Sequence, residues 1–137
     1  MSYQQLIEIR TLGRGTTDIT AEVAGLVGSS GVGAGIAHVF AQHTSCSLMI
    51  TENADPAVRR DLEMLVTRWA PDGDPAYRHD TEGGDDMAAH ARSVLTGSSV
   101  TVPVGDGELL LGTWQGIYLW EHRAGSHLRR IVVTVVG

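Results

Sequence analysis

The sequence predicts an α+β fold: one domain spanning residues 1–137, with helices packed on an antiparallel β-sheet. Three observations support this. Strand-like segments outnumber helical ones, and most follow one another along the chain as antiparallel neighbours do. At 137 residues there is room for one core and not for two comfortable domains. A hydrophobic content of 42% is a globular value, well above that of disordered chains.

The elements follow in order. "LIEIRTL" (6–12) alternates Ile7 and Ile9 with Glu8 and Arg10, a half-buried strand pattern. "GRGTTD" turns the chain, and Thr17 or Asp18 caps a helix whose apolar positions are Ile19, Val23, Leu26 and Val27, ending at Gly28. "AGIAHVFAQ" (34–42) and "CSLMIT" (46–51) are strands joined through Gln42-His43-Thr44-Ser45. The clearest helix has Asp55 as N-cap, Pro56 at its first position, and a stripe of Val58, Leu62, Leu65, Val66 and Trp69. After a loop over 71–84, a shorter helix runs from about Asp86 to Thr96 and stops at Gly97. "SSVTVPV", a "GDG" hairpin turn, a long strand "ELLLGTWQGIYLWEH" interrupted by Gly112 and Gly116, and "LRRIVVTVV" complete the sheet.

Composition excludes several functions. All ten basic residues are arginine, which eliminates a lysine Schiff base and a P-loop lysine together. A net charge of −6 without a basic run argues against nucleic acid as partner. No apolar run approaches the roughly 18 residues of a membrane helix. "MSYQQLIEIR" lacks a secretory leader, and the single cysteine, Cys46, fits a reducing compartment; a cytoplasmic location is expected.

Residues 79–90, "HDTEGGDDMAAH", concentrate the chemistry. Asp85 and Asp86 stand where a helix takes an N-cap and a negative first turn. Met87, His90, Ala91, Val94 and Leu95 follow helical spacing, which places His90 on the inward stripe. Asp86 lies one turn before His90, close enough to orient its imidazole. With His43, His79 and His122 at other element ends, and Asp80, Glu52 and Glu121 of matching type, imidazole and carboxylate suit Zn, Mn or Fe. Carboxylates alone suit Mg. No H-x-x-x-H or C-x-x-C pair is present. Cys46 reads as buried and inert, Ser45 and Ser47 lack a nucleophile elbow, and "GVGAG" precedes a strand where a dinucleotide loop would follow one. "GTWQG" reads as a ligand-approach bulge or as a bend in a long strand.

Taken together, "HTSCSLMITENADPAVRRDLE" (43–63), "YRHDTEGGDDMAAH" (77–90), "LTGSSVTVPVGDGELLLGTWQGIYLWEHR" (95–123) and "RRIVVTVVG" (129–137) resemble the YjbQ family, also called UPF0047. The resemblance implies a sandwich-like antiparallel sheet flanked by two or three helices and assembled as a homotrimer. It implies a pocket in which His43, His90, Asp86 and Glu121 act in catalysis. Thr44, Ser45, Gly83, Gly84, Trp114, Gln115 and His122 would bind substrate, and His43, His79, His90 and Asp80 would hold metal. The implied activity is that of a secondary thiamine-phosphate synthase, which joins hydroxymethylpyrimidine diphosphate to thiazole phosphate and releases diphosphate. Without lysine, the leaving diphosphate needs a divalent metal, arginine, protonated histidine or backbone N–H groups. Mg²⁺ arriving with substrate and Zn²⁺ on the histidines both fit. Two alternatives share the pocket: a metal-dependent hydrolase, and a non-catalytic trimer that binds a metal or a small phosphorylated ligand.

Overall fold

The computed structural model describes all residues, Met1–Gly137. Its elements are β1 (Ser2–Arg10), β2 (Gly15–Asp18), α1 (Thr20–Ser29), β3 (Gly35–Ala41), β4 (Cys46–Glu52), α2 (Pro56–Trp69), α3 (Asp86–Thr96), β5 (Ser99–Gly105), β6 (Glu108–Leu109), β7 (Gln115–Glu121) and β8 (Leu128–Val136). They form a five-stranded sheet, β1-β8-β3-β5-β6, and a three-stranded sheet, β2-β7-β4. Every pairing is antiparallel, so the fold is α+β with two antiparallel sheets and three helices. No helix is long and apolar enough to cross a membrane.

The core lies between the two sheets. Ala37, Val39, Val102, Val104, Ile131, Val133 and Val135 face inward from the larger sheet, and Cys46, Leu48, Ile117 and Leu119 from the smaller. Ile19, at the start of α1, and Val23 and Val27 within it close one side of that layer. Period-two alternation along β8 is what allows this: Arg129, Ile131, Val133 and Val135 are buried while the residues between them are not. Helix α2 starts as its sequence predicts, with Asp55 Oδ1 accepting the Ala57 N–H at 2.9 Å and Pro56 in the first turn. The "GDG" turn is also as predicted: Asp106 and Gly107 both have positive φ, the two-residue hairpin geometry that Asp-Gly favours.

Four expectations are corrected. "GRGTTD" is not only a turn, because Gly15–Asp18 pairs with Glu121–Tyr118 as β2; an available edge on β7 overrides local turn chemistry. The long strand over 108–122 is two strands in different sheets, with residues 110–114 crossing between them. Gly112 marks that crossing, its N–H held by Gln115 Oε1 at 2.8 Å. On α2 only Val66 of the apolar stripe is fully buried, and Trp69 is 64% exposed. Helix α3 is rotated from its predicted orientation. Asp86, Ala88, Ala89 and Arg92 face inward, while Val94 and Leu95 are 85% and 59% exposed. The inward face of α3 meets a polar network, not an oily one, so apolar spacing points to the wrong side.

The corrected rotation makes opposite demands at two positions of α3, one buried and one exposed. Ala89→Leu is expected to destabilise the fold by about 1–3 kcal/mol through overpacking. Val94→Lys should change stability by no more than about 0.5 kcal/mol. Urea unfolding of the two variants checks the assignment, and the reverse order would restore the stripe expected from sequence.

A candidate metal centre at the start of the third helix

Three donors converge where the 71–84 loop enters α3. His79 comes from the loop, Asp86 from the first helical turn, and His90 from one turn later. Asp86 is 3% exposed, and its Oδ2 lies 2.7 Å from His79 Nε2 and 3.2 Å from His90 Nε2. The three potential ligand atoms all fall within 4.8 Å of one another. Arg123 Nη1 sits 3.0 Å from the other oxygen, Asp86 Oδ1. Burial by itself would raise the Asp86 carboxyl, but the His79 hydrogen bond and the charges of His90 and Arg123 hold it below the ordinary range.

The tautomers bear on what the trio can hold. His90 Nδ1 lies 3.2 Å from the Thr44 carbonyl, which can only accept, so Nδ1 keeps its proton. Nε2 then faces the Asp86 carboxylate with a lone pair unless it carries a second proton or the two share a cation. Two imidazoles and one carboxylate with an exposed approach form a donor set that fits Zn²⁺, Mn²⁺ or Fe²⁺ better than Mg²⁺.

Asp85 does not cap the helix through its side chain. Its Oδ2 accepts Arg123 Nε at 2.9 Å and the Ala124 N–H at 2.8 Å. These bonds, the one to the Arg123 side chain foremost, lower its carboxyl to about 2. Asp85 is therefore committed to Arg123 and not open to a metal.

The remaining predicted residues divide. Asp80 lies beside His79 in a small recess with Gly83 and Gly84 but stands outside the converging trio. The Gly83 and Gly84 N–H groups have no backbone partner, and Gly83 has φ +106. His43 is exposed beside Ser45, its Nδ1 accepting the Ser45 N–H at 3.2 Å and contacting Ser45 Oγ at 3.0 Å. Nδ1 is thus the acceptor and Nε2 carries the proton, which fits a hydrogen-bond donor and not a metal ligand. Desolvation, then the nearby Arg129 charge, lowers the His43 pKa. Ser45 itself is buried and takes Arg129 Nη2 on both its carbonyl and its hydroxyl.

Glu121 and His122 are not exposed site groups. Glu121 is 1% exposed and fully engaged: Thr11 Oγ1 and Arg129 Nε donate to Oε1, while the Arg123 N–H and Arg129 Nη2 donate to Oε2. That corrects the expectation of a catalytic carboxylate, because no lone pair is left for substrate. His122 is fully buried between Arg92 Nε, which donates to Nδ1 at 3.0 Å, and Ser47 Oγ, 2.8 Å from Nε2. It cannot touch substrate. Trp114 and Gln115 lie at the far end of the small sheet, where Gln115 pairs with Glu52 while Glu121 pairs with Cys46. Six residues of strand put about 20 Å between those ends.

Arg92, Arg123 and Arg129 organise the site, and sequence reading passed over all three. A signal existed: in a lysine-free chain, every buried carboxylate needs arginine as its cationic partner.

The comparisons agree with this architecture. A family model described as UPF0047 protein YjbQ-like matches residues 5–137. The chain belongs to the YjbQ/UPF0047 family. It is 45% identical over 135 residues to a UPF0047 protein of a Synechocystis strain, covering 98% of this chain and 92% of that one. The UPF0047 protein YjbQ of Escherichia coli O157:H7 is 42% identical, with 100% and 99% covered. Among solved structures, an uncharacterized conserved YjbQ/UPF0047-family protein from Clostridium acetobutylicum superposes with TM-score 0.88 at 37% identity, covering 96% and 99%. A conserved hypothetical protein from Thermus thermophilus gives TM-score 0.86 at 32% identity, covering 96% and 99%.

Buried His122 carries a pH signature. Burial first, and the charges of Arg92, Arg14 and Arg129 after it, push its pKa down to about 3. An unfolded histidine titrates at about 6.5. Between those values the unfolded chain binds one more proton here, so stability rises with pH across the window and falls on acidification. The expected contribution is about 1.4 kcal/mol per pH unit between about pH 6 and pH 4.5. Urea unfolding across that range checks it. His122→Gln should be less stable at neutral pH yet show a flatter dependence, and an unchanged slope would contradict the neutral buried histidine.

Proposed function

We propose that the protein is a divalent-metal-dependent enzyme that acts on a small phosphorylated substrate by the displacement that the family resemblance implies. The observation that carries this is the convergence of His79 Nε2, Asp86 Oδ2 and His90 Nε2 on one point. His79, Asp86 and His90 would hold a divalent metal, which would supply Lewis acidity to offset the charge of a departing diphosphate. In thiamine-phosphate formation, the bond from the pyrimidine methylene carbon to the diphosphate oxygen breaks, and its electron pair leaves with the diphosphate. The thiazole nitrogen lone pair forms the new C–N bond and needs no proton transfer.

The chain's own part is to bind and orient. His43 Nε2–H and the N–H groups of Gly83 and Gly84, which have no backbone partner, would donate to phosphate oxygens. Arg123 pairs with both Asp85 and Asp86 and offsets one of their two charges, so a phosphorylated substrate does not meet two bare carboxylates. The two imidazoles support Zn²⁺, Mn²⁺ or Fe²⁺ as resident metal, and Mg²⁺ belongs with the substrate's phosphates.

The proposal extends to the homotrimer. Leu6, Val132 and Phe40 stand abreast on three adjacent strands, on the outer face of the large sheet, with Leu6 and Phe40 more than 40% exposed. A face of this kind supports association with further copies. Sedimentation is expected to give a species of three chains, each 14.6 kDa. A single-chain species would overturn it.

The functional test pairs metal analysis of purified protein with product analysis. One equivalent of metal per chain is expected, lost in His79→Ala and His90→Ala with circular dichroism unchanged. Diphosphate release should require both substrates and fall by at least about 100-fold in His90→Ala, roughly 2.7 kcal/mol of barrier. Phosphate or acid released from a single substrate would instead make it a hydrolase. Metal binding without turnover of any phosphorylated substrate would leave a binding protein.

A further inference from the structure

A second cleft, of about 600 Å³, opens between β2 and α2 and shares no residue with the metal centre. Its charges do not cancel. Arg14 is held by a bidentate pair with Asp72, at 2.8 and 2.9 Å. Glu63 is neutralised by Arg92 and also accepts Trp120 Nε1 at 3.0 Å. Asp18 accepts the Thr20 N–H and has no cationic partner. Against it stand two guanidinium groups with no carboxylate partner. Arg59 donates to the Glu52 carbonyl at 2.9 Å and lies 4.7 Å above the Tyr118 ring. Arg60 is exposed on the next residue with no ion pair. A net positive cleft on a chain of charge −6 is not explained by solubility.

Tyr118 adds the second observation. It is 3% exposed and lines the cleft, yet its hydroxyl makes no hydrogen bond within the protein and is not sealed away from the cleft. Burial holds that hydroxyl above the ordinary phenol range, so it stays a donor at neutral pH. The "GTWQG" stretch explains how the ring is seated. A Cβ on Gly116 would stand 2.9 Å from Tyr118 Cε2 and 3.3 Å from Asn53 Cβ, so only glycine leaves the ring where it is. The backbone does approach a side chain closely here, and that side chain lines the cleft.

We propose that this cleft binds a small organic phosphate, with Arg59 and Arg60 on the phosphate oxygens and the Tyr118 hydroxyl donating beside them. Paired guanidinium forks match a tetrahedral dianion in charge and in donor geometry. Beside the charged groups the lining offers Pro56 and the Tyr118 ring, so the rest of the ligand is a sugar or polyol that can lay one face on that ring rather than a hydrocarbon. The site stands whether or not the trio on α3 binds metal.

The test is calorimetric titration of the chelator-treated protein with inorganic phosphate and ribose 5-phosphate, and with succinate as the carboxylate control. Binding of ribose 5-phosphate is expected to be tighter than that of succinate. It should weaken about tenfold in Arg60→Gln, a partly solvated charged hydrogen bond, and about threefold in Tyr118→Phe. Arg60 is exposed, so its replacement leaves the fold intact. His90→Ala should bind as wild type, which separates this cleft from the α3 site. Affinity unchanged in both Arg59→Gln and Arg60→Gln would overturn the proposal. So would affinity lost in His90→Ala, succinate bound as well as the phosphate, or no binding of either phosphate probe.

Discussion

Glu121 and Arg129 form an ion pair buried between the two sheets, and both the sheet packing and the site loop are tied to it. Glu121 belongs to the small sheet and Arg129 to the large one, so the pair is a polar bolt across the sandwich. Each side chain is 1% exposed, and taking either charge out of water alone is costly. The cost is offset because every oxygen and most N–H groups are used. Thr11 and the Arg123 N–H complete the carboxylate, and Ser45 completes the guanidinium. Through Ser45 the pair fixes the β3–β4 loop, and that loop places His43 and offers the Thr44 carbonyl to His90. Positioning of the site and stability of the fold thus run through the same two residues.

A second polar chain supports α3. Arg92 is fully buried with Glu63 and His122 as partners, and its guanidinium lies 5.7 Å from the Trp120 ring centre. His122 in turn reaches Ser47. Replacing one member would strand a charge or a donor, so these residues specify the helix's rotation as much as they stabilise it. That rotation turns Asp86 inward, leaves His79 and His90 near the surface, and gives the three donors a common focus. It also leaves Val94 and Leu95 in solvent, which apolar spacing alone would not allow.

What can be read from residues in order follows local chemistry. Asp55-Pro56 starts a helix, Gly97 stops one at φ +93, and Asp106-Gly107 makes a two-residue turn, because each effect acts within a few residues. The i, i+4 relation of Asp86 and His90 is legible for the same reason. His79 can be named by its type, although only the fold of the 71–84 loop brings it to Asp86. Glu121 and His122 mislead because histidine and glutamate have the same letters whether they face a pocket or an arginine in the core.

The α+β class, the antiparallel strands and the start of α2 are written in local residue order, and a chain without lysine leaves every permanent cationic side chain to arginine. The tertiary structure alone decided that "GRGTTD" becomes a strand, and that residues 108–122 split between two sheets. It also decided which polar residues are buried and which are free. The physical reason is range. Caps, turns and helical spacing act between neighbours in the chain. Desolvation and ion pairing depend on groups such as Thr11 and Glu121, which are 110 residues apart until the sheets close.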